Sequence, residues 1–131
     1  QPHYTTGTVL PPLPGVPHLA QDFVGRMLPQ PEVDANGSTT ALDDLLAPGW
    51  NTIEVAAGHQ LVFTSQDGST VTATDTSRVF DAATGTVLLI RPDYYVAGIA
   101  PSNDRALLLK EMSSKATVLA SFGTAKQPSH G

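Results

Sequence analysis

The clearest apolar signal along the chain is Val87-Leu88-Leu89-Ile90, uninterrupted by polar residues between Thr86 and Arg91. A strand of that composition is covered on both faces, so its expected place is a sheet centre. Trp50 to Ala56 and Gln60 to Thr64 alternate instead, with Ile53, Val55, Leu61 and Phe63 separated by more polar neighbours. Period two marks a strand with one buried face. Gln66-Asp67-Gly68-Ser69 predicts a turn, and Thr70 to Thr74 is another β-rich run. Arg91-Pro92-Asp93-Tyr94 predicts a second turn, with Pro92 at its second position, leading into Tyr95-Val96-Ala97-Gly98-Ile99 as a hairpin.

Three stretches carry helical signals. Leu42, Leu45 and Leu46 share one face of a helix expected over Ala41 to Ala47. Thr39 or Thr40 would cap it, Asp43 and Asp44 favour its first turn, and Pro48-Gly49 stops it. The paired aspartates read as a solvated helix start rather than as acid or metal chemistry. Ser77 to Ala83 reads as a short helix capped by Asp75 or Thr76 and closed by Gly85. A third helix is expected from Pro101-Ser102-Asn103-Asp104 to about Ala120, with Leu108, Met112, Ala116 and Leu119 on one stripe and Gly123 as the stop.

Proline is concentrated at the start: seven of the eleven prolines lie within the first 31 residues. Pro11-Pro12-Leu13-Pro14 is extended, and a linker over a domain surface accounts for it better than an SH3 ligand. Arg26 to Val33 reads as an extended or edge segment, because Pro29 and Pro31 forbid a central strand. Asn36-Gly37 is a turn dipeptide; Asn36-Gly37-Ser38 also matches a glycosylation sequon, but reads as the turn. The expected division is an extended proline-rich linker over 1–24, one domain over 25–123 and a flexible tail over 124–131. The first residue is Gln1 and no targeting segment follows, so the chain reads as a fragment or processed product.

Composition narrows the function classes. The 131 residues are 40% hydrophobic and 15% charged, with no apolar run near the roughly 20 residues that span a bilayer. No membrane role is expected. A formal charge of -5 argues against a phosphate-tracking surface, so no nucleic-acid partner is expected. Without cysteine there is no disulfide, thiolate site or Cys-x-x-Cys redox chemistry. His3, His18, His59 and His130 lack metal-pair spacing, and G-x-S-x-G, G-x-G-x-x-G and Walker sequences are absent. No catalytic, cofactor-binding or metal residue is assigned, although a Ser-His-Asp triad assembled in space is judged by geometry and not by order. Arg91 reads as a partner of Asp93 before it reads as an anion site. Tyr94 and Tyr95 are the candidate interface residues: in a hairpin one faces the core and the other faces outward.

The succession of Gly25 to Val33 (G-R-M-L-P-Q-P-E-V), Leu42 to Trp50 (L-D-D-L-L-A-P-G-W) and Val87 to Ala97 (V-L-L-I-R-P-D-Y-Y-V-A) resembles the C-terminal domain of FAD-dependent aromatic-ring monooxygenases. Within them it is most similar to the 3-(3-hydroxyphenyl)propionate hydroxylase group. That group carries G-x-x-x-P-Q-P-x-V, L-D-D-x-L-G-P-G-F and R-P-D-x-Y-V in this order. Pro2-His3-Tyr4 with Gly7 and Leu10 is similar to the stretch joining that family's FAD domain to its tail domain, so the resemblance runs from about Pro2 to Leu119. Ala47, Trp50 and Tyr94 depart from the commoner Gly, Phe and Gly.

The resemblance implies an α/β, thioredoxin-like domain with a central mixed β-sheet, flanking helices and an extended proline-rich N-terminal segment. It implies a cytoplasmic parent using FAD, NAD(P)H and dioxygen to hydroxylate a phenolic ring. This chain would bind none of these cofactors, because the flavin motifs lie N-terminal to it. Its implied partners are the parent's catalytic FAD domain and further copies in a homo-oligomer. Ala56-Ala57-Gly58-His59-Gln60 holds no Cys-x-x-Cys, and no proline directly precedes Thr86, so disulfide exchange is not expected. The competing reading is a self-contained small binding module of the same fold.

Overall fold

Short turns decide the architecture. The computed structural model describes residues 15–114. Asn36 and Gly37, at φ 54° and 79°, close a two-residue loop between β1 (Glu32–Ala35) and β2 (Ser38–Ala41). Only three residues, Ala57–His59, join β3 (Asn51–Ala56) to β4 (Gln60–Ser65). Residues 66–69 lead into β5 (Thr70–Thr74), and residues 91–95 link β6 (Thr86–Ile90) to β7 (Val96–Pro101). A parallel neighbour needs a crossover of a dozen or more residues, so strands joined this tightly pair antiparallel.

The result is one seven-stranded sheet in the order β2-β1-β5-β4-β3-β6-β7, antiparallel at every pairing among the described residues. The domain is thus a mixed α/β fold dominated by an antiparallel sheet, with few helices. The expected mixed sheet is corrected here: the loops between successive paired strands are too short for the helical crossover that a parallel pair requires.

Register separates two faces. Leu88 lies opposite Ile53, Ile53 opposite Phe63 and Phe63 opposite Val71, so these four share a face. That face carries the main core, completed by Val33, Leu42, Phe80 and Leu28. On the other face, Val87, Leu89, Ala97 and Ala100 pack with Trp50 and with Leu108 and Met112 of α2, the helix over residues 105–114. Arg105 fastens the start of α2 to the sheet, with Nε 3.7 Å from Glu54 and a guanidinium nitrogen donating to Thr64 Oγ1 at 3.3 Å. β6 is buried at all five positions, as its apolar run predicts, and stands one strand in from the edge.

The helical expectations are partly corrected. Ala41 belongs to β2, and Leu42–Leu45 makes a single 3-10 turn without a side-chain cap. The Leu42 N–H donates to the Pro31 carbonyl at 3.1 Å, and Leu42 and Leu46 still reach the core. A seven-residue helix gains too little to displace that strand pairing. Next to it, Gly49 sits at φ 90°, where a Cβ would collide with Gln66 Oε1, the acceptor of the Trp50 N–H at 2.6 Å.

Ser77 to Ala83 is not an α-helix either: Arg78 at φ 64° interrupts it, leaving a 3-10 turn at Asp81–Ala83. Asp75 does cap this stretch, accepting from the N–H groups of Ser77, Arg78 and Phe80 at 3.1, 3.2 and 3.1 Å. Of the third stripe, Leu108 and Met112 are buried, while Ala116, Leu119 and Gly123 lie outside the described residues.

Residues 15–24, expected to continue the extended linker, fold onto the sheet instead. α1 (His18–Gln21) buries Ala20, Val16 joins the main core, and the Phe23 ring stacks on Phe80 at 5.8 Å between centroids. Apolar side chains at 16, 20, 23 and 24 supply one helical turn's worth of burial, enough to dock a short segment despite its prolines. The remainder of the linker, residues 1–14, and the 124–131 tail lie outside the described residues.

Candidate interaction surface

Residues 25–28 run beside the first residues of β7 as an added strand. The Gly25 N–H donates to the Val96 carbonyl (2.8 Å), the Val96 N–H to Arg26 (2.9 Å) and the Leu28 N–H to Tyr94 (2.7 Å). Pro29 and Pro31 cannot donate, so this added pairing ends there. Met27 faces Tyr95 across an antiparallel bridge, which puts their side chains on one side of the ribbon. Their neighbours point the other way: Leu28 is buried in the main core and Tyr94 packs against it.

The tyrosine doublet therefore divides as its alternation predicts, Tyr94 inward and Tyr95 outward. Tyr94 holds φ at 71°, a left-handed conformation costing a side-chain-bearing residue about 1 kcal/mol or more, which its packing on the core offsets. Tyr95 is half-buried, with the Arg91 guanidinium 5.5 Å from its ring centroid. Arg91 also reaches Asp93 at 2.5 Å, the ion pair its sequence position suggested.

Beside Met27 a shallow groove of about 460 Å³ is lined by Leu19, Asp22, Phe23, Arg26, Pro29 and Ala82. Leu19 and Met27, 65% and 53% exposed, are the two most exposed large hydrophobic side chains among the described residues. Asp22 and Arg26 stand exposed at its rim, and neither forms an ion pair or side-chain hydrogen bond with a described residue. The sequence reading missed this groove because residues 15–24 were assigned to a linker. Leu19, Phe23 and Met27 at four-residue spacing were the signal that could have found it.

Other polar clusters spend their groups internally. Asp67 accepts from the Ser65 hydroxyl and from the Ser69 N–H and hydroxyl (2.9 and 2.7 Å). These bonds hold its carboxyl at about 2, well below the usual 3.8. In the small hollow nearby, of about 180 Å³, the Asn51 amide donates to the Ala47 carbonyl at 2.8 Å and accepts from the Ala47 N–H at 3.2 Å. His59 Nδ1 lies 2.8 Å from Asp81 and joins the β3–β4 turn to the loop before β6. His18 lies in α1, whereas His3 and His130 are outside the described residues. Among the described residues no three His, Asp or Glu side chains gather as a metal site, and no helix is long and apolar enough to cross a membrane. Comparison with protein-family models, with curated proteins and with solved structures finds no match.

Proposed function

We propose that this chain is a non-catalytic C-terminal domain of a cytoplasmic FAD-dependent aromatic hydroxylase of the 3-(3-hydroxyphenyl)propionate hydroxylase kind, serving assembly or support of its catalytic domains. One observation carries this reading. The three stretches that carry the resemblance are hydrogen-bonded to one another in the fold, Gly25 to Leu28 with Tyr94 to Val96, and Leu42 with Pro31. A shared framework of this kind explains why motifs that hold no chemistry would recur together in order. The thioredoxin-like relation belongs to the same proposal and rests on the resemblance of the three stretches.

On this reading FAD and NAD(P)H bind the parent's catalytic domain, which docks against the present one. The test is a truncation of the intact parent ending before Gly15, with flavin content, native mass and single-turnover hydroxylation measured. Retained flavin and chemistry with altered native mass or solubility supports the proposal. Unchanged native mass and solubility with loss of the chemical step overturns it.

A further inference from the structure

We infer that the open half of β5 docks an extended, basic segment of another protein, which adds to the sheet as an antiparallel strand and places one apolar side chain in the hollow beside it. The inference goes beyond the assembly role proposed above and does not depend on it. β1 meets β5 only at Asp34 and Thr74, so Thr70, Val71 and Thr72 border no strand on that side. The ladder with β4 says which backbone groups are left over. The Ser65 N–H donates to the Ser69 carbonyl at 3.0 Å and the Asp75 N–H to the His59 carbonyl at 2.7 Å, so the odd-numbered residues of β5 aim their polar groups at β4. In an antiparallel ladder the residues between them aim theirs the other way. Thr70 and Thr72 therefore each hold an N–H and a carbonyl outward, with no strand among the described residues to receive them. Proline, lysine or a bulge blunts such an edge in many sheets, and T-V-T has none of these.

The hollow of about 180 Å³ opens on the core face of the same strand. Val71 lines it together with Leu45, Leu46 and Phe63. Its amide and hydroxyl groups, Asn51 and Ser65, are spent on Ala47 and on Asp67 and Ser69, which leaves apolar wall for a ligand. That volume is below the range of small-molecule sites, about 300–1,000 Å³, and suits a single aliphatic side chain. An added strand supplies one: its residues opposite Thr70 and Thr72 carry the backbone pairing, and the residue between them faces the core side. Charge says what flanks that residue. Asp44 lines the hollow, Asp67 stands in the turn before β5 with its carboxyl held at about 2, and Asp34 is exposed at the other end of the edge. No Lys or Arg lines the hollow, and Arg105, which bonds Thr64 across from Thr70, is already paired with Glu54. The formal charge of -5 adds to the attraction for a basic segment.

The experiment is fluorescence anisotropy of a labelled peptide, K-K-T-L-T-K-K, titrated with the full chain. Saturable binding is expected, with the two threonines across from Thr70 and Thr72 and the leucine in the hollow. N-methylation of both threonines should weaken it by about tenfold or more, whereas N-methylation of the leucine, whose N–H points away from β5, should leave it unchanged. Glycine in place of the leucine, or glutamates in place of the lysines, should weaken it as much. On the protein, Asp44→Lys should weaken binding, as should Thr72→Pro, which removes an outward N–H and none from the ladder with β4. Circular dichroism checks folding, and the N-methylated peptides decide the matter where Thr72→Pro does not fold. Absence of saturable binding overturns the inference, as does equal binding of the glutamate peptide or indifference to which residue is methylated. Undiminished binding of the glycine peptide overturns the hollow as its anchor. A native chain that self-associates in sedimentation velocity, and becomes monomeric with Thr72→Pro, makes a second copy the occupant and overturns the inference too.

Discussion

β5 and β6 are both five-residue strands of the same sheet, yet they are held in opposite ways. Thr86–Ile90 is buried throughout, with the main core on one side and Trp50, Leu108 and Met112 on the other. Thr70–Thr74 buries only Ala73 fully and meets β1 at a single residue pair, Asp34 with Thr74. Beyond its ladder with β4, what fixes β5 sits at its two ends. Before it, Asp67 ties the turn together; after it, buried Asp75 gathers three backbone N–H groups and the Ser77 hydroxyl. One strand is secured by layers of apolar atoms and the other by polar wiring, and their sequences, T-V-L-L-I against T-V-T-A-T, record the number of layers each one has.

That contrast can be broken from either side. The largest effect is expected for Leu88→Ala, which empties part of the main core and should cost roughly 2–5 kcal/mol, whereas Thr72→Ala on exposed β5 should stay within about 0.5 kcal/mol. Urea midpoints of the two variants decide this, and equal midpoints would refute the layer argument. Next comes Asp75→Ala, which strands the buried Phe80 N–H and removes the acceptor of the Ser77 and Arg78 N–H groups, and should cost on the order of 2–3 kcal/mol, with Asp75→Asn less harmful because one acceptor oxygen remains. Loss of amide-exchange protection at Phe80 ahead of residues in β6 is the accompanying signature. The smallest effect belongs to Asp67. Its carboxyl titrates at about 2 in the fold against 3.8 ordinarily, so its contribution is complete above about pH 4 and disappears as pH falls through about 2. The Asp67→Asn chain should therefore lose less stability than the native one between pH 4 and pH 2, and carboxyl NMR shifts should place the Asp67 midpoint near 2.

Much of this fold was legible because its turns are spelled out locally. Asn36-Gly37, Gln66 to Ser69 and Arg91 to Tyr94 each announced a reversal, and period-two alternation placed β3 and β4 and divided the tyrosine doublet. The helices expected over Ala41 to Ala47 and Ser77 to Ala83 are 3-10 turns instead. Leucines at 42, 45 and 46 satisfy one 3-10 turn as well as an α-helical face, and nothing in the sequence marks Arg78 for a positive φ. The resemblance implies a mixed sheet, whereas the brevity of Ala57–His59 favours an antiparallel pair. The groove escaped notice for a different reason: a proline-rich context hid the spacing of Leu19, Phe23 and Met27, which matters only once α1 docks.

The sheet order also carries a kinetic meaning. β3-β4-β5 and β6-β7 are local ribbons that close over short loops, while the pairing of Ile53 with Leu88 must wait until the whole of β4 and β5 has been bypassed. Closing such loops costs chain entropy before any core contact compensates it, and the loop behind the Met27–Tyr95 bridge is longer still, so the folding barrier belongs to these non-local pairings, the β3–β6 seam among them. Substitutions along the seam then act on the rate of folding. The β1–β2 ribbon, which meets the rest of the sheet at one residue pair, leans instead on Val33 and Leu42 in the main core, so exchange of its amides should report on that core rather than on strand pairing.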